Sequence, residues 1–301
     1  MNTERIRIWI GFLIVTFVWG STWLAIKIGL QSVPPLIAVG LRFFIASLIL
    51  YLIIRIRKVP ILLTPEAKKL YVTLIILSYS VPFGIVYWGQ QFIPSGLSSI
   101  LFGAYPFSVA IFSHFLLPSE RLNALKIVGI AFCFTGLVVI FSQDVHWNDS
   151  HGLLGMLAVL ANAIIQGLAL VLVKKYGQPI SPFAMNFVGM FFAGLLLLAV
   201  GLATESFGSI IWDAAAIGSI LYLAIVGSVL AFVTYFWLLK RIEAVYLSLV
   251  SFINPIIAVI LGAIILHEVL ATSVYVGAGF VLIGILVANG RYLYQKVRGA
   301  E

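Results

Sequence analysis

Arg42 interrupts an apolar stretch, IAVGLRFFIASLIL, that is otherwise uncharged. A guanidinium carries five N–H donors in a planar fork, and a carboxylate or phosphate accepts that fork bidentately. The chemistry on offer is capture of an anionic group in apolar surroundings. A second reading stays open, in which Arg42 snorkels outward or ties down backbone carbonyls. Other polar side chains recur at helical spacing. Asn162 and Gln166 are four residues apart, as are Trp19 and Trp23, Trp23 and Lys27, and Tyr87 and Gln91, so each set shares a helix face. Tyr105 and Asn254 each precede a proline, Pro106 and Pro255, and Pro82 lies in a further apolar stretch. Each proline is expected to interrupt its helix by removing a backbone donor, which frees carbonyls to coordinate a solute. The candidate substrate-binding residues are Trp19, Lys27, Arg42, Tyr87, Gln91, Tyr105, Asn162, Gln166, Tyr235 and Asn254. Pro82, Pro106 and Pro255 are the candidate hinges.

The acids contribute by their placement. Glu4, Glu66, Glu120, Asp144, Asp149, Glu205, Asp213, Glu243, Glu268 and Glu301 all fall in tails, in connections or at the ends of apolar stretches. No carboxylate stands mid-stretch to carry protons or to hold a cationic drug. The lone Cys133 has no partner for a disulfide within the chain, His and Cys show no metal-ligand spacing, and there is no nucleotide-binding P-loop. No nucleophile dyad or acid pair suggests an enzyme, and no cofactor or metal is expected.

The elements that position these residues follow from composition. With 62% hydrophobic and 9% charged residues over 301 positions and a mean hydropathy of +1.16, the chain is an integral membrane protein. About 20 apolar residues span a hydrocarbon core, whereas the strands of a membrane barrel are about half that length and alternate in polarity. Ten stretches qualify as helices: 8–29, 36–54, 70–91, 97–117, 126–142, 153–173, 183–204, 214–239, 244–266 and 273–290. The first is long enough to span and continues directly into further spans, so it is expected to stay as the first helix rather than to be a cleaved leader.

The second half repeats the first at an offset of 148 residues. Lys27 aligns with Lys175, Gly29 with Gly177, Ser80 with Ser228, Tyr87 with Tyr235, Glu120 with Glu268, and Gly129 and Gly136 with Gly277 and Gly284. Pro106 and Pro255 are one residue off that register. Five crossings per half force the second to enter the bilayer inverted, the plan of alternating-access transporters. The expected architecture is an all-α membrane protein of ten transmembrane helices in two inverted five-helix repeats, residues 1–148 and 149–301. Arg42 faces Met190 in the repeat, and Asn162 and Gln166 replace Ile14 and Val18, so these polar groups break the symmetry. A solute meets the two halves from different sides, so such breaks point to its site. Lys27 and Lys175, each at its helix C-terminus, read as dipole partners, and Glu120 and Glu268 as first-turn acids of the following helices. His114 near the inner end of span four reads as a packing residue.

Charge sets the orientation. Of the 18 Lys and Arg, all but Lys27 and Arg42 fall at the two termini or in alternate connections, while the connections around Ser32, Pro94, Asn148, Gly208 and Ala271 carry none. Cations are retained on the cytoplasmic side, so both termini are expected in the cytoplasm, and the net charge of +8 is a topology signal rather than a nucleic-acid footprint.

Residues 17–50, FVWGSTWLAIKIGLQSVPPLIAVGLRFFIASLIL, together with LLPSERL (116–122) and ILHEVL (265–270), each followed by a glycine-bearing final helix, resemble EamA-type members of the drug/metabolite transporter superfamily. The resemblance covers essentially the whole chain. It implies helices one to four and six to nine around a central cavity, helices five and ten at the periphery, and secondary transport in a bacterial inner membrane. Export of amino acids or related metabolites is the expected activity. Exchange of phosphorylated or sugar-linked metabolites and export of drug-like compounds are the alternatives. The expected partners are a small-molecule solute, with proton coupling an open route, and the lipid bilayer; the protein is a monomer or homodimer.

Overall fold

The computed structural model describes residues 3–117, 124–144, 150–248 and 250–298; Glu120 and Asn148, singled out above, lie outside them. Ten helices follow one another: α1 (Thr3–Gly29), α2 (Pro35–Arg57), α3 (Pro65–Gly89), α4 (Ser95–Leu116), α5 (Ala124–Asp144), α6 (Ser150–Tyr176), α7 (Pro182–Thr204), α8 (Ala214–Leu239), α9 (Ala244–Ser248 and Val250–Ile265) and α10 (Thr272–Arg298). They match the expected spans to within a few residues at most ends. Seven of them, all but α5, α9 and α10, are long and apolar enough over the described residues to cross a membrane.

Local sequence explains the boundaries. Pro35, Pro65 and Pro182 open their helices at the first turn, where the missing N–H costs nothing. Thr64 Oγ1 accepts from Ala67 N (3.2 Å) and Asp213 Oδ1 from Ala216 N (2.6 Å), capping α3 and α8. Helix α2 stops at Lys58 in the left-handed region (φ 51°).

The packing pairs helices by exchange of halves. Helix α1 lies on α8 and α9, as α6 lies on α3 and α4; α2 contacts α8, as α7 contacts α3; α2 packs on α7 and α5 on α10. Glycines allow the closest crossings. A Cβ on Gly136 would stand 2.5 Å from Gly277 O, and one on Gly284 would stand 2.5 Å from Gly129 O, so the aligned pairs brace the α5–α10 crossing reciprocally.

One end of the bundle gathers the N-terminus and the connections 58–64, 177–181 and 240–243. There Lys174 Nζ donates to Leu239 O and Ile242 O (both 2.7 Å), Lys240 Nζ donates to Gln178 O (2.7 Å) and Ile180 O (2.6 Å), and Arg241 pairs with Glu4 (3.8 Å). This is the basic end. At the opposite end Ser32 Oγ donates to Asp213 (2.8 Å), and Glu205 accepts from Leu36 N and Ile37 N (2.9 and 3.0 Å). Glu268 accepts there from Ser95 N (2.8 Å), Ser95 Oγ (2.9 Å) and Gly96 N (3.1 Å).

These contacts correct three expectations. Glu268 precedes its own helix and caps α4 of the other half instead. The counterpart of Lys27 is Lys174, not Lys175: each reaches the carbonyls that follow the third helix of its half, whereas Lys175 is exposed with its ammonium over the Tyr176 ring. Of the three prolines, only Pro106 adjoins a break, the turn at Gly103 and Ala104; Pro82 follows a π-helical stretch without interruption, and Pro255 lies inside the continuous helix Val250–Ile265.

Candidate functional site

Midway along the bundle α1, α2, α3, α4, α6, α8 and α9 leave a cavity of about 50 Å³. By that measure one water needs about 10–15 Å³, so a few waters fill it. Its walls are Trp19, Thr22, Trp23, Ile26, Phe83, Val86, Phe102 and Phe232, and its polar groups are Arg42, Asn162, Gln166 and Asn254.

Arg42 is 1% exposed. Its Nε donates to Ser228 Oγ (2.9 Å), Nη1 to Tyr87 Oη (3.2 Å) and Nη2 to Gly227 O (3.3 Å). The Phe43 and Phe83 rings lie 5.3 and 5.0 Å from the guanidinium carbon, a cation–π environment that favours the charge. Three of its five N–H groups are thus engaged; among the described residues the other two have no acceptor and no acid pairs with Arg42. The reading in which this side chain ties down a backbone carbonyl describes one of its bonds. Arg42 ties down one carbonyl and keeps a cavity-facing charge with donors to spare.

The carbonyl it reaches is made available by helix geometry. Ile225–Leu230 in α8 is a π-helical segment, as is Leu74–Ser80 at the corresponding place in α3. Such bulges displace the backbone from its regular ladder and gather at functional sites. Gly227 O accepts from both Arg42 and Trp19 Nε1 (3.3 Å). The second π segment has no proline beside it, so packing rather than Pro82 sets this geometry.

Across the cavity Gln166 Nε2 donates to Asn162 Oδ1 (2.8 Å). Asn254, in the amide orientation that its surroundings require, places its nitrogen 3.0 Å from both Val250 O and Thr16 O. Trp19, Arg42, Asn162, Gln166 and Asn254 are thus brought together around one space. The other candidates are not. Tyr87 stands behind Arg42 as its acceptor. Tyr105 and Tyr235 spend their hydroxyls on each other (2.7 Å) beside the cavity. Lys27 donates to Gln90 O, Gln91 O and Ile93 O (2.8, 3.2 and 3.0 Å), away from the cavity at the end opposite the basic one. Gln91 lies beyond the last turn of α3, exposed, and borders a polar cleft with Ser32, Trp88 and Glu205 instead. Phe83, Phe102, Phe232 and Thr22 were missed, because one of 22 phenylalanines in an apolar chain carries no local signal.

Comparison with known proteins identifies the family and the fold. The model of the EamA-like transporter family matches twice, over residues 7–142 and 153–290. The uncharacterized transporter YoaV of Bacillus subtilis is 31% identical over 292 residues, 97% of this chain and 100% of that protein. The uncharacterized inner membrane transporter YedA of Escherichia coli K12 is 27% identical over 281 residues, covering 92% and 89%. A solved crystal structure shares the fold with a TM-score of 0.72 at 20% identity, covering 94% of this chain and 96% of that one. The chain belongs to the EamA-like transporter family, as a multi-pass membrane protein that moves small molecules across the bilayer and is not an enzyme.

Proposed function

We propose that this protein is a secondary transporter that exports small metabolites such as amino acids by alternating access between two inverted halves, residues 1–148 and 149–301. The observation that carries the reading is Arg42, a buried cation with two unused N–H donors at an aromatic-walled cavity between the halves. A solute carboxylate accepts those donors, and its apolar body rests on Trp19, Phe83 and Phe232. The walls must part to admit it, which joins binding to movement. Gathering of the basic residues at one end supports placing that end, and both termini, in the cytoplasm. The name of YedA supports an inner membrane. The export direction is the one that the resemblance implies.

Exchange of phosphorylated metabolites through Arg42 with Lys27 has less support, since Lys27 is occupied by three carbonyls elsewhere. Radiolabelled amino acids and phosphometabolites, presented to proteoliposomes with and without a pH gradient, test the proposal. Amino-acid movement that disappears in Arg42→Met is expected. Phosphometabolite exchange without amino-acid transport would overturn it.

A further inference from the structure

Tyr87 and Tyr235 are repeat mates, yet their hydroxyls meet different partners at different depths. Tyr87 lies two residues from the end of α3 that is opposite the basic end, where it accepts from Arg42 (3.2 Å). Tyr235 lies four residues from the basic end of α8, bonded to Tyr105 Oη (2.7 Å). The cavity occupies the space between them. Its walls run directly into the second pair: Trp19 packs on Tyr235 at 4.6 Å, and Phe102 stacks on Tyr105 at 5.0 Å and 12°. Tyr105 comes from the first half and Tyr235 from the second, so their bond closes the seam between halves. It also follows the turn at Gly103 and Ala104, the break in α4 that separates Tyr105 from Phe102 along the chain.

We propose that the Tyr105–Tyr235 hydroxyl pair, bonded here, is the gate at the basic end of the transport pathway, and that Tyr87 forms the gate at the other end in the exchanged state. The inference rests on the transport reading. Inverted halves reach the opposite state by exchanging their conformations. In the one-residue-shifted register set by Pro106 and Pro255, the mate of Tyr105 is Asn254. The exchanged state therefore offers Tyr87 an amide partner, just as the present one offers Tyr235 a phenol. The Tyr87–Asn254 bond forms as the Tyr105–Tyr235 bond breaks.

The test needs no knowledge of the solute. In a Cys133→Ala background, Thr22→Cys places a thiol in the cavity wall. Its labelling by a membrane-impermeant methanethiosulfonate is timed in vesicles of both orientations. Tyr105→Phe and Tyr235→Phe keep the rings and remove the bond, and each is expected to speed labelling from the basic-end side about five-fold, the population change for one net hydrogen bond. Labelling from the other side stays at the wild-type rate, and the double variant equals either single one. Tyr87→Phe is expected to show the reverse sidedness. Wild-type rates from the basic end, equal acceleration from both sides, or singles that add in the double variant would each overturn the gate. If no solute were transported, the labelling would still read the gate. Transport accompanied by unsided labelling would sink the gate alone.

Discussion

Replacing Arg42 by Lys keeps a positive charge in the cavity wall but not the shape of the group that carries it. The guanidinium now serves Ser228, Tyr87 and Gly227 from three different nitrogens and retains two N–H groups for a solute. An ammonium has three N–H groups on one nitrogen, which cannot hold those acceptors and present a fork as well. The loss to a bound carboxylate is one charge-assisted hydrogen bond, about 1.5–3 kcal/mol. At 1.4 kcal/mol per decade that is roughly ten- to a hundred-and-fifty-fold in affinity. The assay is concentration-dependent initial uptake into proteoliposomes for a carboxylate solute and its neutral amide, at matched protein incorporation and with melting temperature recorded. Arg42→Lys is expected to raise KM for the carboxylate by that factor and to leave the amide unchanged. Arg42→Met, which supplies the residue already present at the repeat mate Met190, should abolish carboxylate transport. Wild-type carboxylate kinetics in Arg42→Met would refute the reasoning, since no bond to the solute could then have been lost.

Other expectations follow from the same geometry. Pro106→Ala, beside the α4 break, should lower the turnover rate more than it weakens solute binding, while Pro255→Ala, inside a continuous helix, should leave both near wild type; initial rates beside ligand-induced thermal shifts decide it. Lys174→Met should lower the melting temperature and Lys175→Met should not, because only Lys174 holds the connection after α8. Asp213 is held below the usual carboxylate range by the Ala216 N–H first and then by the Ser32 hydroxyl. Its stabilisation is therefore present above the ordinary aspartate pKa and is lost as pH falls through the depressed value. Asp213→Ala should lower the melting temperature at neutral pH by an amount that vanishes in acid. Reporter fusions at Lys58 and Lys240 should read cytoplasmic and a fusion at Asn148 should not; a cytoplasmic Asn148 would break the inverted arrangement.

The helices were legible because apolar length is a coarse property that survives any local detail, and ten stretches gave ten helices. Within the site, Arg42, Asn162 and Gln166 stood out as polar groups in apolar stretches that the other half does not repeat. Gln91 misled because helical spacing from Tyr87 assumes that the helix continues, and α3 ends at Gly89. The Lys174 counterpart was hidden by a fixed repeat offset, which a one-residue slip defeats. The two π segments left no trace, since LIILSYS and IVGSVL have the composition of their surroundings. Lys27 was read against its own helix, whereas its acceptors lie more than 60 residues along the chain, and only folding brings them near.

Two of the carboxylates at the end opposite the basic one, Glu205 and Glu268, have a consequence for the order in which the molecule is made. Glu205 covers the first N–H groups of α2, and Glu268 those of α4. Both helices belong to the half that is synthesised first, and both caps belong to the half that follows. While the ribosome is still short of residue 205, α2 sits in the bilayer with its leading donors dependent on headgroups and water, and α4 waits longer, for residue 268. The early half is therefore provisional during biosynthesis, and its register is fixed only once the late half arrives. A chain stopped between the halves should insert yet stay open to proteolysis at residues 30–35 and 90–95, and supplying residues 149–301 as a separate polypeptide should restore protection there.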